Sequence, residues 1–236
     1  MGGRLDLRLF GCWDLRVGDI TIELGSREQR LLALLALRGR RPRSYVAGTL
    51  WPTSTETRAQ NSLRAAVLRS RKAAPGLLDA GRTTMALMPE VHVDVHEMVR
   101  VAESGHAMGC DPRATMALLA AADLLPGWYD DWVLFERERL QHLRLRALES
   151  LAESQLACGN HDLALAASLE AIAIEPLRET AHSIAIRAHL CAGNRSAAVR
   201  EYRAYRARLE DELGITLTLT LEDLARPFLP TQRRPS

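Results

Sequence analysis

Between residues 4 and 24 apolar and polar positions alternate. Leu5, Leu7 and Leu9 are separated by Asp6 and Arg8; Trp13, Leu15 and Val17 alternate again; Ile20, Ile22 and Leu24 follow a Gly18-Asp19 turn. A period of two belongs to half-buried strands, so three short antiparallel strands are expected. From residue 26 the period lengthens. Ser26 stands where an N-cap would, with Gln29 at the capping-box position. Leu31, Leu32, Leu34, Leu35 and Leu37 form a broad apolar face, and Gly39 closes the helix. Arg40, Arg41 and Arg43 follow. Ser44 is expected to cap a second, short helix through Val46 and Leu50, stopped by Trp51-Pro52. A third helix is expected from about Glu56, with Thr53 as its cap, to Pro75-Gly76. Leu77-Leu78 and Met85-Leu87 flank Ala80-Gly81-Arg82-Thr83, a hairpin.

After Val91-His92-Val93-Asp94 the pattern becomes helical. Asp94 and Glu97 have capping-box spacing, and helices are expected at 95–104, 113–123, 131–158, 161–174, 178–192 and 195–212. Leu156, Gly159, Asn160 and Ala164 recur 34 residues later as Leu190, Gly193, Asn194 and Ala198. Helix, Gly-Asn turn, helix at that spacing is the form of a tetratricopeptide repeat, an element that binds proteins and seldom catalyses. The expected fold is therefore mainly α with a small β part. A winged helix-turn-helix occupies residues 1–92, an all-α TPR-like domain residues 93–224, and a flexible tail residues 225–236.

The third helix carries the candidate chemistry. At 100° per residue Ala59, Leu63, Ala66, Val67, Ser70 and Ala74 share one side, and Arg58, Asn61, Arg64, Ala65, Leu68, Arg69 and Lys72 share the other. The first face suits a core. The second is cationic, with one amide, and no acid follows Glu56 before Asp79. Arg and Asn are the side chains that pair bidentately with guanine and adenine. A helix stabilised by its own ion pairs would alternate signs. In a winged helix the third helix is the one laid in the major groove. Arg82, at the hairpin tip, is placed to reach a minor groove or phosphates; its competing reading is a solvated turn residue.

Composition agrees with a two-part chain. It has 236 residues, 47% hydrophobic and 25% charged, as globular domains do. Residues 1–96 hold 15 basic and 9 acidic residues, a balance of +6, and residues 97–236 hold 16 and 20, a balance of −4. A basic front half fits a nucleic-acid module. There is no signal-peptide pattern and no bilayer-length apolar run, so a cytoplasmic protein without membrane contact is expected. Cys12, Cys110, Cys158 and Cys191 are widely spaced and are expected to be reduced, buried thiols.

His92 and His96 have a spacing that can hold zinc on a helix. With Asp94 as a cap, His92 falls outside the helix and no third ligand is evident, so no metal and no cofactor are expected. Asp130 and Asp131 suit a helix N-terminus, and Glu136, Arg137, Glu138 and Arg139 a solvated charged face. Trp128, Tyr129, Trp132 and Phe135 suit core or inter-domain packing. No nucleophile, base and orienter can be placed together, so an enzyme is not expected. A protein-binding adaptor is the alternative to a DNA-binding regulator, and a hydrolase within the helical half a distant third.

These residues resemble a family. LGSREQRLLALLALRGRRP (24–42), VAGTLWP (46–52), NSLRAAVLRSRKAAPGLLD (61–79), LLPGWYDDWVLFERERL (124–140), ACGNHDLALAASLEAIAIEPLRE (157–179) and YRAYRARLEDELGI (202–215) are similar in kind and order to blocks of the SARP-type antibiotic regulatory proteins. These join an OmpR-like winged helix to a bacterial transcriptional activation domain. The resemblance covers roughly residues 4–224. It departs at Thr216–Thr220, where the family usually has a proline-containing link. With no Gly-rich GK[ST] loop, the chain resembles the small stand-alone members.

The resemblance implies an activator of secondary-metabolite genes. It implies binding to direct repeats in double-stranded DNA near a −35 element as a side-by-side dimer, with contacts to the sigma factor and neighbouring subunits of RNA polymerase. By position it puts Arg58, Asn61, Arg64, Arg69 and Lys72 towards the groove, and Arg71 and, less specifically, Arg41 and Arg43 on phosphates. A solvated inter-helix loop is the competing reading of the last two. The loop Pro52-Thr53-Ser54-Thr55-Glu56 corresponds to the segment that touches polymerase, or else it is a plain connector.

Overall fold

The computed structural model describes residues 3–104, 111–120 and 123–215. In chain order the elements are β1 (Leu5–Arg8), β2 (Asp14–Val17), β3 (Ile20–Thr21), α1 (Ser26–Arg38), β4 (Arg41–Pro42), α2 (Arg43–Leu50), α3 (Glu56–Ala73), β5 (Leu78–Ala80), β6 (Thr84–Leu87), β7 (His92–Val93), α4 (Asp94–Glu103), α5 (Pro112–Leu119), α6 (Asp131–Ala157), α7 (His161–Ile174), α8 (Glu179–Cys191) and α9 (Arg195–Leu213). The fold is mainly α with two small sheets, and each described helix lies where the periodicity put it, to within a few residues. The expected end of the helical domain and the tail, residues 216–236, lie outside the described residues.

Two units divide the chain, one drawn from residues 1–100 and 121–139, the other from 101–120 and 140–236. The change of pattern at residues 92–93 is thus not where this division cuts, because residues 123–139 belong with the N-terminal unit. The reason is local. Leu125 N–H donates to the Leu9 carbonyl at 2.8 Å, Gly11 N–H to the Asp123 carbonyl at 2.9 Å, and Leu124 bridges Phe10. Leu124 and Leu125 are buried. Leu125 sits at φ 43°, a strained value for a branched residue. Arg137 holds it there by donating to the carbonyls of Leu124, Leu125 and Trp128.

In the N-terminal unit one sheet has the order β3-β2-β1-β7, with β7 parallel to β1. Leu7 faces Leu15 across β1 and β2, both buried. Asp94 does more than cap. Its carboxylate accepts the N–H groups of Leu9, Phe10 and Val95 at 2.8–3.0 Å, while Glu97 lies 3.4 Å from His92 Nε2; the expected Asp94–Glu97 box is therefore replaced by a tie between α4 and β1. In α1 the cap is Gly25, not Ser26, because extended backbone ends at Gly25. Gln29 Nε2 donates to the Leu24 carbonyl instead.

The second sheet has the order β4-β6-β5. The sequence pattern passed over β4 as a connector, since two residues show no period. Arg41 pairs with Met85 and Pro42 with Thr84, and an edge strand tolerates a proline that lacks a donor. The cap of α2 is accordingly Pro42 rather than Ser44.

Three side-chain expectations are corrected. Glu136 is only 2% exposed. Arg139 Nε donates to its Oε2 at 2.8 Å, and Arg38 Nε lies 2.7 Å from its Oε1, off the hydrogen-bond line. Glu136 and Arg137 are thus not on a solvated face; Arg38, 98 positions earlier, is invisible to local periodicity. Of the aromatic group only Trp132 is buried, with Trp128 edge-on at 6.5 Å, while Tyr129 and Phe135 are exposed. The thiols of Cys12, Cys158 and Cys191 are free and exposed, not buried; Cys110 lies outside the described residues.

In the C-terminal unit α7 packs on α8 and α8 on α9. The repeated turns have one geometry. Gly159 and Gly193 both take φ 78°, a left-handed value only glycine adopts at little cost. Their N–H groups reach the carbonyls of Leu156 and Leu190, and the N–H groups of Asn160 and Asn194 those of Gln155 and His189. Ala164 and Ala198 are buried where the helices meet. Ile186, Ala198, Tyr202, Tyr205 and Leu209 form a core between α8 and α9.

Candidate nucleic-acid interface

The six residues assigned to the inner face of α3, Ala59, Leu63, Ala66, Val67, Ser70 and Ala74, are all buried, and α3 packs there on α1 and α2. The opposite face is open: Arg58, Asn61, Arg64, Leu68, Arg69 and Lys72 are exposed and Ala65 is half-buried. At about 1.5 Å per residue α3 is about 27 Å long, enough to lie in and beyond a major groove.

Packing brings further cations to this face. The backbone N–H of Arg43, first residue of α2, donates to the Thr83 carbonyl at 2.9 Å, and its guanidinium donates to the Gly81 carbonyl at 3.3 Å. Arg71, near the end of α3, donates to the Ala80 carbonyl at 3.2 Å. The hairpin turn is thus tied to both helices. The Arg43 pKa is lowered, first by burial, then by the charges of Arg64 and Arg71. An arginine stays charged regardless, so three cations repel one another here without a carboxylate between them. An anion placed among them would relieve that repulsion. Arg64 also donates to Asn61 Oδ1 at 3.3 Å, which links the two residues carrying base-reading groups.

The remaining cations differ in what holds them. Arg58, Lys72 and Arg82 are exposed and have no hydrogen bond or ion pair among the described residues. Arg41 lies over the Tyr45 ring at 5.9 Å, a partner that the four-residue spacing on one helix face could have suggested. Arg40 is paired with Asp79 at 2.5 Å. Arg69 lies on the outward face, and its Nε donates to Glu28 Oε1 at 2.7 Å. Glu28, in α1, is 4% exposed. Nothing in the sequence pointed to this acid, 41 positions away.

Pro52, Thr53, Ser54, Thr55 and Glu56 are all exposed. The loop closes on itself through Ser54 N–H to the Trp51 carbonyl at 3.1 Å. The expected cap is corrected: Thr55, extended at φ −62° and ψ 150°, occupies the N-cap of α3, and no side chain caps the helix there. Thr53 lies two residues too early.

Elsewhere the titratable groups serve other ends. His92 lies 3.1 Å from Asp6, and His96 Nε2 meets the Ala36 carbonyl at 2.6 Å. Among the described residues no three His, Cys, Asp or Glu side chains are grouped as a metal ion needs, and no helix is long and apolar enough to cross a membrane.

Comparison with known proteins places the chain. The model of the bacterial transcriptional activator domain matches residues 93–229, starting where the sequence pattern turned helical. The regulatory protein AfsR of Streptomyces coelicolor is 29% identical over 224 residues, covering 89% of this chain and 22% of AfsR. The transcriptional regulatory protein EmbR of Mycobacterium tuberculosis is 27% identical over 250 residues, covering 97% of this chain and 64% of EmbR. The chain thus spans about a fifth of one relative and just under two thirds of the other. The solved structure of Mycobacterium tuberculosis EmbR in complex with a low-affinity phosphopeptide superposes with a TM-score of 0.73 at 22% identity, over 97% of this chain and 65% of that one. It shares the fold of an OmpR-like winged helix followed by the helical activation domain. The chain belongs to the family of the bacterial transcriptional activator domain and, within it, to the SARP-type transcriptional regulators.

Proposed function

We propose that this regulator is a sequence-specific DNA-binding activator that recruits RNA polymerase to genes of secondary metabolism, with residues 1–92 reading DNA and residues 93–224 as the activation domain. The observation that carries the reading is the open face of α3. Asn61 and Arg64 meet base edges; Arg58 and Lys72 flank them; Arg43, Arg71 and the hairpin residue Arg82 lie on phosphates. Arg41 is a further phosphate contact, and Arg69 reaches the backbone from its anchor on Glu28. Similarity to AfsR favours direct repeats as operators, occupied by two protomers side by side near a −35 element. The exposed Pro52–Glu56 loop then lies along the DNA, free to meet the sigma factor and its neighbours.

Footprinting on promoter fragments from the protein's own gene neighbourhood, followed by transcription with purified polymerase, tests this. Protection of a direct repeat and increased transcript from that fragment are expected. Absence of protection on every such fragment, with the chain folded, would make the protein an adaptor whose repeat helices do the binding.

A further inference from the structure

Leu68 stands in the middle of the cationic stripe and is 70% exposed. One helical turn before it is Arg64 and one turn after it Lys72; Arg71 and Ala65 flank it at three residues. Within residues 3–93 Ile20 and Tyr45 are the other exposed large apolar side chains, and neither lies on α3. A leucine left in water at the centre of a charged face leaves its transfer free energy unrealised. Ala, Gln or Lys would serve helix propensity there as well. The neighbouring charges say what covers it. Arg64, Lys72 and Arg71 carry one sign, and α3 has no acid after Glu56, so the partner is polyanionic. A major groove presents one apolar group to such a side chain, the 5-methyl of thymine.

Resting on the DNA-binding reading above, we propose that Leu68 reads a thymine: its isobutyl group packs on the 5-methyl of a thymine lying between the bases or phosphates met by Arg64 and Lys72. Leu68 is then a specificity-determining residue, and each repeat of the operator has a thymine preference that no hydrogen bond explains.

The test uses the full chain and sites it selects from random duplex DNA. Each thymine of the selected repeat is replaced singly by deoxyuridine, which removes the methyl and keeps the pairing with dA. Wild type is expected to weaken about fourfold at one thymine per repeat, the effect of one buried methyl group. Leu68→Ala, a change at an exposed helical position that keeps the fold, is expected to bind dT and dU alike there. Leu68→Gln is expected to shift the preferred base towards adenine. Far-UV circular dichroism confirms that both variants remain helical. A wild type that selects a sequence yet is indifferent to every methyl, or a Leu68→Ala variant that keeps the full dT-to-dU ratio, overturns the assignment of Leu68. A wild type that selects no sequence at all overturns the DNA-binding reading itself and this inference with it.

Discussion

Arginine dominates the basic residues of both halves of the chain, yet it is used differently in each. In the repeat helices the guanidiniums have carboxylates: Arg178 with Glu149 at 2.9 Å, Arg187 with Glu153, Arg206 with Glu210 at 2.8 Å and Arg208 with Glu212 at 3.8 Å. On the α3 face Arg43, Arg64 and Arg71 crowd one another, and Arg58, Lys72 and Arg82 have no partner among the described residues. The first arrangement lowers the energy of the folded chain alone. The second leaves a repulsion that an outside anion relieves. Composition cannot separate the two, because an arginine counts once in either place.

The comparison is broken most sharply by removing three charges from each side. Changing Arg43, Arg64 and Arg71 to Ala together is expected to weaken DNA binding at least about a hundredfold and to flatten its salt dependence by about three units of slope. Changing Arg178, Arg187 and Arg206 to Ala should leave both unchanged. Filter binding across a salt series checks the pair of variants, and an equal loss in both would erase the distinction.

Next in size is the buried acid between Arg38 and Arg139. Glu136→Ala leaves the half-buried Arg38 without its counter-charge and is expected to cost about 2–3 kcal/mol of stability, read by urea denaturation, with DNA affinity per folded molecule unaffected. Single changes on the α3 face come after. Asn61→Ala should cost about 1–3 kcal/mol of operator binding and relax preference at one base pair. A selection experiment showing unchanged preference would remove Asn61 from base readout.

The pH response separates the halves as well. Burial raises the Glu149 pKa, but hydrogen bonds from Arg178 and Thr180 and the Arg178 charge more than offset it, so the net shift is downward. The hydrogen bond from His182 lowers that of Glu201, against burial, with the charges of His182, His189 and Arg208 acting in the same direction. A carboxylate whose folded pKa is depressed contributes stability above its unfolded pKa and loses it as pH falls through the folded value. Stability of the repeat helices is therefore expected to decline as pH falls below 4.5, the ordinary glutamate value. Glu149→Gln and Glu201→Gln should each blunt that decline in urea melts. The smallest effect on binding is expected at the loop. Thr55→Ala removes no capping hydrogen bond, so operator affinity should hold while transcription with purified polymerase falls. Transcription that tracks occupancy in this variant would make the loop a connector.

How much was legible in the sequence follows from range. The inner face of α3 and the Gly-Asn turns of the repeat obey local periods, and all six inner residues and both turns are where those periods put them. Pairings across long separations left no local trace: Glu28 with Arg69, Arg38 with Glu136, and the Leu124-Leu125 segment beside Leu9. The strand at Arg41-Pro42 was too short to show a period. The α3 cap failed for a different reason. Thr53 and Thr55 are equally plausible by residue type, and only the backbone, extended at Thr55, decides between them.

The claim that the open cations of α3 and the hairpin are counter-ions of DNA is tested most directly by the salt dependence of binding to an isolated operator. Arg43, Arg58, Arg64, Arg71, Lys72 and Arg82 together predict that log K falls linearly with log salt at a slope of about −4 to −6. A slope near zero, or one unchanged in the Arg43/Arg64/Arg71 triple variant, would contradict it.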